Sequence, residues 1–113
     1  MYKCLIVDDE PLARKILIEY FEFLTDVEVV GELGSAIEAA EFLKQEKVDI
    51  LLLDINMPRL TGIQLLKNLS DPPLVIFTTA YSEYAVEAFD LEAFDYLVKP
   101  ISFDRFMKSI DKA

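Results

Sequence analysis

Short apolar runs and stretches of helical periodicity alternate along this chain without a break. Lys3–Val7 (KCLIV) is an apolar run that stops at Asp8-Asp9, and it predicts a buried strand. From Leu12 the period changes: Leu12, Ile16, Leu17, Tyr20, Phe21 and Leu24 fall at helical spacing. Pro11 suits the first turn of that helix, with Asp9 or Glu10 as its cap. Val27–Gly31 alternates as a less buried strand. Ser35 opens a helix carrying Ile37, Ala40, Phe42 and Leu43, and Glu38 three residues on predicts a capping box. Val48–Leu53 (VDILLL) is the most apolar stretch and predicts a central strand covered on both faces. A short helix over Gly62–Leu69, a strand over Leu74–Phe77, a helix over Glu83–Phe89 and a strand over Ala93–Val98 follow, and Ser102 opens a last helix. Strands alternating with helices in this way predict one α/β domain: a (βα)5 doubly wound, five-stranded parallel sheet with helices on both faces.

Polar groups collect where the strands end. The first strand stops at Asp8-Asp9, the third at Asp54, the fourth at Thr78-Thr79 and the fifth just before Lys99. In a doubly wound sheet, ligands bind in the crevice at the carboxyl ends of the strands. A single strand-end aspartate is explained by helix capping or turn formation. Capping does not explain charged or hydroxyl groups at four of five strand ends. Three carboxylates in one crevice repel each other and need compensation. Lys99 supplies one positive charge and a divalent cation two more, so three negative charges meet three positive. Hard oxygen ligands with open positions favour Mg²⁺, and the ligand spacing of an EF-hand is absent. The crevice therefore predicts Mg²⁺ and a phosphoryl group, with a carboxylate as nucleophile.

Composition narrows the classes further. At 113 residues and 53% hydrophobic content the chain is one domain with a real core, not a disordered acidic segment. Its 21 acidic residues against 11 basic ones leave a net charge of −10, which repels nucleic acid and anionic membranes, so neither is expected as a direct partner. No apolar run reaches the ~18 residues of a membrane span. The single cysteine, Cys4, permits no internal disulfide and fits a reducing, cytoplasmic setting. Cys4 itself reads as a small core residue. With no histidine, zinc sites, Ser-His-Asp triads and Cys-His dyads are excluded.

Together the Asp8-Asp9 pair, D-I-N-M-P from Asp54 to Pro58, Gly62, Thr79-Ala80 and Tyr96-Leu-Val-Lys99-Pro100 resemble the receiver domain of bacterial two-component response regulators, over essentially the whole chain, residues 1–113. The resemblance implies a flavodoxin-like strand order 2-1-3-4-5 and a switch, not a turnover enzyme. Asp54 matches the phosphoacceptor that takes a phosphoryl group from a sensor histidine kinase. Asp9 would bind Mg²⁺ directly and Asp8 mostly through water, with Asp54 and the backbone carbonyl of Asn56 completing the protein ligands. Thr79 and Lys99 match the hydroxyl and ammonium that meet the phosphoryl group, and Tyr96 matches the aromatic switch residue. Lys99-Pro100 resembles the family's cis peptide. Asn56 and Tyr81 flank the pocket at positions expected to tune phosphate lifetime. The family's activated form is a homodimer through the face of the fourth helix, fifth strand and fifth helix, near which Tyr81, Tyr84, Phe89 and Phe94 fall; Phe89 and Phe94 read as core. T-A-Y-S-E-Y-A-V-E-A-F followed by F-D-Y-L-V-K-P-I is similar to regulators whose effector is a LytTR-type DNA-binding domain. That likeness implies transcription regulation by a longer parent, with an effector beyond Ala113.

Other carboxylate-based classes fit less well. A haloacid-dehalogenase-like phosphatase needs a general acid two residues after the nucleophile, and here that residue is Asn56. A flavin carrier needs a hydroxyl- and glycine-rich loop where this chain has Asp8-Asp9-Glu10-Pro11. A degenerate receiver acting only by binding would lack one of Asp54, Thr79 and Lys99, and all are present.

Overall fold

The computed structural model describes residues 1–81 and 93–113. In chain order it contains β1 (Tyr2–Val7), α1 (Pro11–Phe21), β2 (Val27–Leu33), α2 (Ala36–Gln45), β3 (Ile50–Asp54), α3 (Gly62–Lys67), β4 (Leu74–Thr79), β5 (Asp95–Val98) and the C-terminal helix α4 (Phe103–Lys112). The helix expected over Glu83–Phe89, with Tyr84 and Phe89, lies outside the described residues.

The strands form one sheet in the order β2-β1-β3-β4-β5, and the four pairings are all parallel. Side chains alternate across it. Cys4, Ile6, Ile50, Leu52, Ile76 and Leu97 face α1 and α4, where they meet Leu17, Phe21, Phe106 and Ile110. Leu5, Val7, Leu51, Leu53, Val75 and Phe77 face the other way, onto Ala36 and Ala39 of α2 and Ile63, Leu65 and Leu66 of α3. β3 lies in the middle of the sheet and is buried throughout. The register of β1 against β2 shifts between Cys4 and Leu5, beside Gly31. A β-carbon there would press to 3.2 Å from Leu5 and 3.3 Å from Phe42.

Several local expectations change. α1 takes no side-chain cap from Asp9 or Glu10; Asp8 Oδ1 accepts from the N–H of Glu10, the N-cap residue itself, at 2.9 Å. Leu12 and Ile16, on the apolar stripe of α1, are exposed, as is Ile37 of α2. At α2 the Ser35 hydroxyl accepts from the Glu38 N–H, but the Glu38 carboxylate takes the Ser35 hydroxyl and not its N–H, so the box is half made. The complete capping box belongs to Thr61 and Gln64 at the start of α3. Strand boundaries also move: β2 runs on to Leu33, β3 begins at Ile50 and β5 begins only at Asp95. Phe94 is half-buried against the α1–α4 side of the core.

Candidate functional site

Parallel pairing aligns the C-terminal ends of the central strands, and this alignment assembles the site. Asp8 follows β1, whose Val7 pairs with Leu53, and Asp54 ends β3 paired with Thr78. Thr79 ends β4 opposite Val98, and the Lys99 N–H donates to the Thr79 carbonyl at 2.7 Å. Thus Asp8, Asp54, Thr79 and Lys99, up to 91 residues apart in sequence, meet at one edge. Carboxylate oxygens of Asp8, Asp9, Glu10 and Asp54 all lie within 4.8 Å of one another. Asp8 and Asp54 are buried, whereas Asp9 and Glu10 open to solvent.

Lys99 sits among them. Its Nζ lies 2.8 Å from Asp8 Oδ2, 3.0 Å from Glu10 Oε1 and 3.7 Å from Asp54 Oδ2. Burial disfavours its charge, but the close Asp8 and Glu10 carboxylates and the Asp54 charge outweigh it and push its pKa up to about 12. For Asp54 the balance runs the other way. Burial and then the Asp8 charge push its pKa up to about 7, against the opposing pull of Lys99 and of the Asn56 N–H at 3.3 Å. The repulsion expected among the carboxylates is therefore registered at Asp54.

Around this centre the Thr79 hydroxyl accepts from the Asn56 side-chain amide and from the Tyr81 N–H, each at 3.2 Å. The Tyr96 ring is buried and its hydroxyl donates to the Tyr81 carbonyl. Tyr81 itself is 52% exposed at the rim. The Lys99–Pro100 peptide is cis. The loop after Asp54 closes through the Gly62 N–H to the Ile55 carbonyl at 3.0 Å, and Arg59 within it takes a left-handed φ of 72°.

Four participants were not anticipated. Glu10 enters as a fourth carboxylate, so the balance of three charges against three does not hold; its only sequence signal was its place in the acidic run Asp8-Asp9-Glu10. Arg14 donates to the Asp8 carbonyl at 2.6 Å and to Glu32 at 3.0 Å, tying the acidic loop to β2. Asp95 and Arg105 form a two-pronged pair at 3.0 and 2.7 Å that fastens α4 to β5. Burial alone would raise the Asp95 carboxyl, but Arg105 and the Tyr96 N–H hold it below the usual carboxylate range. Nothing local in the sequence pairs residues 95 and 105.

The family model for the response regulator receiver domain matches residues 4–111. The chain belongs to that family. It is 45% identical to the transcriptional regulatory protein BtsR of Escherichia coli K12 over 113 residues, covering 97% of this chain and 47% of that protein. This receiver domain therefore spans about half the length of such curated relatives. Among solved structures, the response regulatory domain of mrkE from Klebsiella pneumoniae superposes with a TM-score of 0.90 at 40% identity, covering 97% of this chain and 93% of that one. The REC domain of AraT, a response regulator from Geobacillus stearothermophilus, superposes with a TM-score of 0.87 at 35% identity, covering 98% and 91%. A parallel sheet of order 2-1-3-4-5 with helices around it is the fold these receivers share, and receivers are signalling switches that partner sensor histidine kinases. No helix among the described residues is long and apolar enough to cross a membrane.

Proposed function

We propose that this receiver accepts a phosphoryl group on Asp54 from a sensor histidine kinase, with Mg²⁺ bound by Asp8, Asp9, Asp54 and the Asn56 carbonyl. The observation that carries this reading is the buried Asp54 carboxylate, ringed by Asp8, Asp9 and Glu10 and facing the Lys99 ammonium at 3.7 Å. The donor set, clustered hard oxygens partly open to solvent, suits Mg²⁺. When bound, the cation supplies the positive charge that lets the carboxylates and a phosphoryl group share the crevice.

An Asp54 oxygen attacks the phosphorus of the phosphohistidine. The P–O bond forms as the P–N bond breaks, and the imidazole nitrogen keeps the electron pair and takes up a proton. The chain positions the acceptor and neutralises charge; it needs no further covalent machinery. Lys99 pairs with the added phosphoryl oxygens, and Thr79 gives up its bonds from Asn56 and Tyr81 to donate its hydroxyl to them.

The product carries about −1.5 to −2 of new charge beside Thr79 and Lys99. Reversing a two-state face from 1:99 to 99:1 needs ~5.5 kcal/mol of differential stabilisation. Charge-assisted hydrogen bonds at ~1.5–3 kcal/mol each reach that sum with a few contacts. Tyr96 is coupled to the pocket through Tyr81, so a shift of Thr79 reaches β5 and α4, the side proposed to form a homodimer. An open groove of about 480 Å³ beside Asp8 and Lys99, lined by Leu12, Ile16, Tyr20 and Ile101, opens onto the same crevice. The likeness of Thr79–Ile101 to LytTR-type regulators, and the name of BtsR, support a cytoplasmic transcription regulator as the parent protein, with this chain as its receiver and DNA binding elsewhere.

Intact-mass measurement after incubation with acetyl phosphate and Mg²⁺, on this chain and on Asp54→Asn, tests the reading. One phosphate adduct on the parent and none on the variant is expected. An adduct on both, or on neither, overturns Asp54 as the acceptor.

A further inference from the structure

Glu10 occupies the N-cap of α1, yet its side chain makes no cap bond, and its own N–H goes to Asp8 Oδ1. Capping, the ordinary reason for an acidic residue there, is therefore not what this carboxylate does. The Glu10 carboxylate reaches instead across to the far side of the crevice, to Lys99 Nζ at 3.0 Å. The two residues are 89 apart in sequence. An ammonium has three donors. Here Asp8 and Glu10 hold Lys99 at 2.8 and 3.0 Å, and Asp54 stands farther off at 3.7 Å. Of the three carboxylates around Lys99, the one it is proposed to serve is the most distant.

We propose that Glu10 is a positioning residue that restrains Lys99 in the resting receiver, and that releasing this contact is part of the barrier to phosphorylation. The inference rests on Asp54 as the acceptor. Two properties suit Glu10 to a releasable restraint. Its side chain is 66% exposed, so it gains water as it lets go, whereas Asp8 is buried and has no such alternative. An ion pair with one partner this exposed is weak, so its loss moves a rate by only about two- to fivefold. The contact therefore tunes the speed of switching and does not block it.

Charge and reach are separated by two variants. Glu10→Gln removes the charge, which also repels an anionic phosphodonor; Glu10→Asp keeps the charge on a stem one methylene shorter, which falls short of Lys99. Phosphorylation by acetyl phosphate is timed by intact mass at saturating Mg²⁺, and the Lys99 side-chain ammonium resonance is followed by NMR in metal-free protein. Restraint predicts that both variants phosphorylate about two- to fivefold faster than the parent. Both should also shift the Lys99 resonance and speed its proton exchange. A Glu10→Asp rate and resonance equal to the parent's overturn the proposal and leave only a charge effect. Rates unchanged or slower in both variants overturn it too. Failure of the parent to form an adduct strikes the acceptor assignment instead, and the resonance still reports whether Glu10 holds Lys99.

Discussion

Gly62 leaves no room for a side chain against Asp54. A β-carbon there would stand far inside contact distance of the Asp54 carbonyl oxygen, 3.0 Å from its carbonyl carbon and 3.1 Å from Leu53. The first turn of α3 is thus pressed onto the backbone of the proposed acceptor. Gly62→Ala must shift either α3 or Asp54, and a loss of ~1–3 kcal/mol is expected. Thermal melting should place this variant several degrees below the parent. Gly34→Ala serves as the control, since its β-carbon would meet only Arg14 at an ordinary 3.5 Å.

Asp54 makes stability depend on pH in the opposite sense to most carboxylates. Its folded pKa is raised from 3.8 to about 7 in the metal-free protein. Its favourable contribution is therefore complete below the unfolded value and is lost as pH rises through about 7. Asp54→Asn should stabilise the metal-free protein at pH ~8 by ~1–3 kcal/mol, part of the gain being offset by the lost Lys99 contact. At pH ~4 the gain should vanish. Urea melts at the two pH values decide; an equal difference at both would contradict the raised pKa.

The Asp95–Arg105 pair titrates the ordinary way. Asp95 is held below its usual 3.8, so its stabilisation is present above that pH and fades as pH falls through the depressed folded value. Arg105→Ala strands a buried carboxylate and should cost ~1–3 kcal/mol near neutral pH, and clearly less at pH ~2. Arg105 is itself partly exposed, which keeps the loss below that of a fully buried pair. Chemical denaturation across pH gives the comparison.

Tyr81 stands at the rim with its N–H on the Thr79 hydroxyl. As a bulky screen it should slow the attack of water on the aspartyl phosphate. Tyr81→Ala is expected to shorten the phosphate lifetime several-fold, followed as loss of the adduct mass after the donor is removed. A lifetime equal to the parent's removes Tyr81 from that role.

Period and composition carried the sheet well, because buried strands such as Val48–Leu53 leave a continuous apolar run and most strand-end residues are polar. They carried the edges of elements poorly. Leu12, Ile16 and Ile37 fit a helical stripe yet stay exposed, since a stripe states which residues share a face and not how far the neighbouring elements extend to cover it. The half-made box at Ser35 and the full one at Thr61 differ in whether the third-residue side chain accepts from the hydroxyl or from the N–H, which no spacing rule distinguishes.

Alone, the sequence determined that this is a five-stranded parallel α/β domain with Asp8, Asp9, Asp54, Thr79 and Lys99 at strand ends. Local periodicity sets each element, and the end of a parallel strand has one place to go. Tertiary structure decided whom each of those groups touches. Only there does Lys99 come closer to Asp8 and Glu10 than to Asp54, does Asp8 take the Glu10 N–H, and does Arg105 find Asp95. Such choices depend on distances across the sheet and on the competition of charges for water and for one another, and neither is written in the order of residues.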